Sequence, residues 1–165
     1  MSGFVFRSTA SDVIDYDIPM VGGHYVFDVA KAEVVNKKTK GKEDEKHWRL
    51  SYQVTGKLED GYIDEEQAGR TMGNNFIQFD IDNAYTREFF IAIGTNYKEE
   101  SDETIFTFPD TVTSFDDIPE FMLDRQFIAK VSVVPHYNKV PDALMNKISN
   151  LEPITSKVND LLLTL

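Results

Sequence analysis

The chain has 165 residues, of which 41% are hydrophobic and 12% aromatic, enough for one domain with a core of large side chains. It contains no cysteine, which excludes disulfides, thiolate metal sites and a cysteine nucleophile. Seventeen basic residues against 28 acidic ones give a net charge of −11, which argues against indiscriminate binding to phosphate backbones.

Met1–Ala10 carries one Arg and no continuous apolar stretch, unlike a signal peptide, and no run is apolar enough to span a bilayer. A cytoplasmic protein without membrane association is expected. Residues 1–20 are expected to form an N-terminal arm, extended from Val5 to Pro19. The domain proper then covers residues 21–155, with residues 156–165 as an apolar C-terminal segment.

Val21-Gly22-Gly23 signals a turn. Tyr25–Val35 predicts a strand, with Tyr25, Phe27 and Val29 on one parity. Asn36–His47 is a polar loop holding Lys37, Lys38, Lys40, Lys42 and Lys46. Trp48–Thr55 alternates cleanly. Trp48, Leu50, Tyr52 and Val54 point one way, and Arg49, Ser51, Gln53 and Thr55 the other, as in a half-buried antiparallel strand.

Gly56–Gly69 reads as a polar connection containing Tyr62, and Arg70–Ile81 as a third strand. From Asn83 the period changes. Tyr85, Phe89 and Ile93 recur every four residues, which predicts a helix ending at Gly94, with Asp82 or Asn83 as its cap. Thr95–Asp117 is an irregular acidic excursion with a short strand at Thr104–Phe108. Asp116–Leu123 predicts one or two helical turns, capped by Asp116 or Asp117, with Pro119 in the first turn. Gln126–Val134 is the fourth strand and places Phe127, Ala129, Val131 and Val133 on one parity. His136–Asp142 is a turn, Leu144–Pro153 the fifth strand, and Ser156–Leu163 a brief apolar helix.

The predicted fold is therefore mainly β: a five-stranded OB-fold-like barrel with one helix after the third strand and extra loop and terminal elements. Such a barrel binds oligonucleotides on its face and loops. The charge is unevenly spread. Ile18–Leu58 has eight basic and five acidic residues, Glu59–Asp124 has three and 17, and Arg125–Leu165 has five and three. The two mildly basic segments flank an acidic middle, and folding can bring them onto one face.

Several segments together carry a family likeness. They are Gly23-His24-Tyr25 leading to the Lys-rich loop, Trp48-Arg49-Leu50-Ser51-Tyr52-Gln53-Val54, Gln126–Val133 leading to Tyr137-Asn138-Lys139-Val140, and Ile148-Ser149-Asn150-Leu151. They resemble a phage-encoded OB-fold family, long known only as a domain of unknown function, that binds single-stranded DNA beside replication and recombination genes. The likeness runs over Gly22–Ile154, except for the excursion Thr95–Phe115. The resemblance implies a cationic groove, single-stranded DNA as ligand, and phage or host replication or recombination proteins as partners. It also implies a setting in the host cytoplasm. The chain departs from single-strand-binding proteins that end in an acidic tail, because its own end is Leu161-Leu162-Leu163-Thr164-Leu165.

A sequence-tolerant binder of single strands needs cations along a groove and aromatic platforms for bases. The candidates are Lys31, Lys37, Lys38, Lys40, Lys42, Lys46, Arg49, Tyr52, Lys130, Tyr137 and Lys139. Against each stands a plainer role: the lysines as a solvated loop, and Trp48 and Tyr52 as core residues.

No catalytic residue, metal ligand or cofactor is expected. Asp80-Ile81-Asp82-Asn83 pairs two carboxylates at a strand end, but Asp82 and Asn83 suit a helix cap better. His24, His47 and His136 have no ligand spacing. A second function is an acidic protein-interaction module on the same barrel, able to hold a basic partner or imitate nucleic acid. A virion or tail component is a third. The leucines of the C-terminus predict a homo-oligomer contact.

Overall fold

The computed structural model describes residues 18–37, 45–78, 84–135 and 144–165, and only the backbone of residues 37, 45, 73–76 and 78. The predicted arm up to residue 17, the cap at Asp82 or Asn83, the turn at 136–142 and the tip of the basic loop lie outside these residues.

Among the described residues, eight strands and three short α-helices follow in the order β1 (Gly23–Lys37), β2 (Glu45–Glu59), β3 (Tyr62–Asp64), β4 (Thr71–Gln78), α1 (Ala84–Ala92), β5 (Asn96–Glu100), β6 (Glu103–Thr107), α2 (Ile118–Met122), β7 (Gln126–Pro135), β8 (Leu144–Glu152) and α3 (Ser156–Leu162). One antiparallel sheet has the order β3-β2-β1-β7-β8, with β4 also on β2, and β5-β6 is a separate hairpin. β1 pairs with β2 and β7, β2 with β4, and β7 with β8, and the helix follows the third long strand, as expected. Closure differs from the expectation: among the described residues no pairing joins β4 to β8, and the sheet stays open.

Bulges bend the sheet around its core. The β1–β2 register runs Val26↔Gly56 and then Phe27↔Val54, leaving Thr55 extra, and runs Val29↔Tyr52 and then Lys31↔Ser51, leaving Ala30 extra. Each extra residue reverses the alternation. Tyr25, Phe27 and Val29 face the core, and beyond Ala30 it is Ala32 and Val34 that pack there. In β8, Asn150 sits at φ 51 where the register to β7 slips. That slip lets both Ile148 and Leu151 reach the core.

The core is aromatic. Phe27, Tyr52, Phe89 and Phe127 pack ring against ring, with Phe127 5.0 Å from Tyr52 and 5.5 Å from Phe27. Trp48 stands edge-on to Phe90 at 5.4 Å. The helix stripe predicted for 85, 89 and 93 is α1, whose Phe89 and Phe90 are buried. It ends as expected at Gly94, which adopts φ 86. The Gly94 and Thr95 N–H groups donate to the Ile91 and Phe90 carbonyls, closing the helix with a Schellman turn.

Two connections differ from the expectation. Gly56–Gly69 is not merely polar loop, because β2 continues to Glu59 and returns as β3 through the two-residue turn Asp60-Gly61, with Gly61 at φ 82. The Asp-Gly pair is the signal that marks it. The acidic excursion contains the hairpin β5-β6, turned at Ser101 and Asp102, both with positive φ.

The open edge between β4 and β8 is bridged twice. At one end α1 crosses it. The Tyr85 hydroxyl lies 3.5 Å from that of Tyr52, and the Glu88 carboxylate accepts the Leu151 N–H at 2.6 Å. At the other end residues 18–21 cross it, with Met20 fully buried in the core. On the opposite face of the sheet, Thr155 caps α3 by accepting the Val158 N–H. This helix packs Val158 and Leu162 over Val26, Ile128 and Leu58. Part of the apolar C-terminus is thereby occupied within the chain, and Leu163 and Leu165 remain exposed.

Candidate nucleic-acid interface

The two basic segments supply adjacent strands. Ile18–Leu58 contributes β1 and nearly all of β2, Arg125–Leu165 contributes β7 and β8, and His24 stands opposite Lys130 where they meet. The acidic middle supplies the margins: β3, β4, α1, the β5-β6 hairpin and α2.

With the core side fixed by its buried residues, alternation places the other side chains on the outer face. On β1 and β2 these are Lys31, Glu33, Arg49, Ser51 and Gln53. On β7 and β8 they are Lys130, Ser132, Lys147 and Ser149. Lys31, Arg49, Lys130 and Lys147 are all exposed. Lys147 was not among the sequence candidates. The signal for it is its register with Ser132, on the parity shared by Lys130.

These cations form two groups. Lys31 lies seven residues along β1 from His24, the register partner of Lys130, or roughly 23 Å at the rise of a strand. Val26 lies between them on the same face, covered by α3. The C-terminal helix, expected from the sequence as a brief apolar helix, therefore lies between the two groups on the outer face.

The first group is the richer. A shallow hollow of about 270 Å³ is lined by Lys31, Glu33, Arg49, Leu50 and Ser51. Arg49 is half-exposed and paired: its Nε donates to the Glu33 carboxylate at 2.7 Å, and its Nη2 contacts the same oxygen. The two residues are register partners across β1 and β2. Lys37 and Glu45 are partners at the end of the same hairpin, so residues 38–44 connect there.

Of the other candidates, Lys46 is exposed at the start of β2, on the parity of Trp48 and not of Arg49. Tyr52 is fully buried, stacked on Phe89 and edge-on to Phe127. Its ring belongs to the core and offers no face to a base. Nothing is described of the Lys37 side chain, and Lys38, Lys40, Lys42, Tyr137 and Lys139 lie outside the described residues, as do Asp80, Asp82 and His136. His47 is buried and His24 exposed. Among the described residues no three His, Asp or Glu side chains gather closely enough to hold a metal ion, and no helix is long and apolar enough to cross a membrane.

Other cations are committed to the fold. Arg70 is buried and donates to Gln67 and to the Ile18 carbonyl. Arg125 lies 4.3 Å over the Phe121 ring. Lys57 pairs with Glu59 at 2.7 Å, and that hydrogen bond holds its ammonium above the usual lysine range. The hollow sets two cationic side chains, Lys31 and Arg49, against the one carboxylate of Glu33, with Ser51 as a neutral hydrogen-bonding neighbour. The chain matches no protein-family model, and no curated protein is significantly similar to it.

Proposed function

We propose that the chain is a non-enzymatic single-stranded DNA-binding protein on an open OB-type sheet, acting in phage replication or recombination. The carrying observation is that Lys31 and Arg49, on neighbouring strands, line one hollow within the most basic stretch of the sequence. From Lys31 to Arg49 the sequence holds seven of the 17 basic residues against four acidic ones. The hollow that Lys31, Arg49 and Ser51 line sits on the same two strands, with Glu33 and Arg49 four residue pairs from the Lys37–Glu45 end. The strand order and the position of α1 support the OB-type reading. Single-stranded DNA would be held by its phosphates at this hollow, with Lys130 and Lys147 as a second contact beyond α3.

Filter binding of oligo-dT over a salt series tests the proposal. Affinity should be measurable in low salt and fall as salt rises, because each neutralised phosphate releases counterions. Absence of low-salt binding, or binding indifferent to salt, overturns it. A second reading is an acidic module for a basic protein partner. It is favoured by the β5-β6 hairpin, where all five β5 residues are exposed and Glu99, Glu100, Asp102 and Glu103 cluster. Retention of a basic protein by a chain that does not shift DNA would decide for it.

A further inference from the structure

The β5-β6 hairpin stands apart from the main sheet, and among the described residues no strand pairs with either of its edges. Its strands turn through Ser101 and Asp102, at φ 49 and 66, and the pair Glu100↔Glu103 closes the turn. The closing pair of such a two-residue turn exchanges both of its hydrogen bonds, and bonded and non-bonded pairs alternate from there. Lys98↔Ile105 is therefore bonded, whereas Tyr97↔Phe106 and Glu99↔Thr104 are not. The backbone N–H and C=O groups of Tyr97 and Glu99 point away from β6, along the free edge of β5. Among the described residues no hydrogen bond reaches them. This edge is the accessible one: all five β5 residues are exposed, while Thr104 and Phe106 of β6 are half-buried.

The two faces of β5 differ. Phe106 packs against the core, and the Tyr97 ring lies 6.2 Å from its ring. Tyr97 and Glu99 thus share one face, and Asn96, Lys98 and Glu100 the other. On the first face a cation meets an aromatic ring that is 48% exposed and, two residues on, a carboxylate. On the second face Lys98, paired with Glu100 at 3.3 Å, repels a cation. Alternation therefore selects the strand that fits: Lys or Arg beside Tyr97 and Glu99, with neutral residues between. The surroundings reinforce the sign, since Thr95–Asp124 holds nine acidic residues and one basic residue, Lys98. A second β5 brought to the same edge would set carboxylates against carboxylates, which closes the edge to its own kind.

We propose that the free edge of β5 takes up an extended cationic segment of another protein by strand addition, with Lys or Arg at alternate positions. Backbone hydrogen bonds to Tyr97 and Glu99 hold the segment, and the alternating charges choose it. The proposal rests on the second reading, an acidic module for a basic protein, for the sign of its partner, and it adds the edge and the mode of contact. DNA binding on the β1-β2 hairpin is independent of it.

The probe is a short fluorescein-labelled peptide of alternating Lys and Thr, added to the full chain in low salt and followed by anisotropy and amide exchange. Binding should slow exchange at the Tyr97 and Glu99 N–H groups and leave Lys98 and Glu100, already bonded to β6, nearly unchanged. Glu99→Lys, at an exposed position, should weaken binding several-fold without moving the unfolding midpoint. Of two peptides N-methylated on alternate residues, the one whose methyl groups face β5 should fail and the other should bind. No binding overturns the proposal and the acidic-module reading together. Salt-sensitive binding without protection of Tyr97 and Glu99, or equal binding of both methylated peptides, overturns strand addition alone and leaves a diffuse attraction of charge.

Discussion

Glu33 and Arg49 face each other across β1 and β2 and are joined by an ion pair on the outer face of the sheet. The strongest sequence candidate for a phosphate contact is therefore already neutralised by its register partner. Half-exposed pairs of this kind contribute about 0.2–1 kcal/mol to stability. A phosphate can compete for the guanidinium without unfolding anything. Glu33→Gln should bind oligo-dT several-fold more tightly in low salt, with stability nearly unchanged. Arg49→Ala should weaken binding and lower the salt slope by about 1. Salt-dependent titrations of both variants check this, and unchanged affinity in Glu33→Gln would remove Arg49 from the interface.

Gly56 lies where β3 folds back over β2. A Cβ at this position would meet the Ile63 side chain and stand 2.9 Å from the Asp64 carbonyl oxygen. Ile63 is itself buried, and a backbone carbonyl does not rotate away. Gly56→Ala should cost about 1–3 kcal/mol, as overpacking usually does. Urea unfolding followed by the fluorescence of Trp48, the single tryptophan, should show a lower midpoint with an unchanged slope.

The long strands and α1 were legible because their periods are clean: Trp48 to Val54 by twos, Tyr85 to Ile93 by fours. Bulges were not, because a residue left over in a register belongs to two strands at once. Ala30, Thr55 and Asn150 each reverse an alternation that the sequence continues without a mark. Their consequences reach the candidate interface. The same reversal that turns Ala32 inward puts Lys31 and Glu33 outward beside Arg49. Tyr52 shared its parity with Leu50 and Val54, and the core took it for that reason. The division of the cations by α3 was illegible for another reason, since it depends on Val158 and Leu162 finding Val26 and Ile128 on the outer face.

Lys130 and Lys147 share the outer face of β7 and β8, on the far side of α3 from Arg49. If they touch DNA, they touch it as a second and separate contact. Lys130→Ala with Lys147→Ala should weaken binding to long oligonucleotides and leave short ones nearly unaffected. Lys31→Ala should weaken both. Equal losses at every length would mean one continuous track, and no loss at any length would confine the interface to the β1-β2 hairpin. Charge-removing changes at exposed sites should leave the unfolding midpoint in place.

Glu88 fastens α1 to the open edge of the sheet by accepting the Leu151 N–H at 2.6 Å. Glu88→Ala leaves that amide without the carboxylate and should destabilise the fold by about 1–3 kcal/mol. Glu88→Gln keeps an acceptor and should cost less. Amide exchange at Leu151 is the direct readout: it should accelerate strongly in the alanine variant and modestly in the glutamine one. Equal rates in all three proteins would show that the contact does not hold the edge.

Asp117 closes a turn over the single tryptophan. Its carboxylate accepts the Thr113 N–H at 3.0 Å and the Thr113 hydroxyl at 2.7 Å, and these bonds hold its pKa below the usual carboxylate range. The neighbouring Phe115 carbonyl receives the Trp48 indole N–H at 3.4 Å, and the two rings lie 6.1 Å apart. A carboxylate with a lowered folded pKa adds stability that is fully present above its ordinary pKa and is lost as pH falls through the lowered value. Tyr85 has the opposite sign. Burial raises its pKa, so its contribution holds below the ordinary tyrosine value and is lost as pH climbs through the raised one. Acidification should therefore change Trp48 emission at the Asp117 turn, and Thr113→Val, which removes the hydroxyl donor, should move that change to higher pH. The alkaline limb should stay where it is in Thr113→Val and move in Tyr85→Phe. A pH series of Trp48 fluorescence and unfolding midpoints on the three proteins separates the two limbs, and an acid transition unmoved by Thr113→Val would release Asp117 from this role.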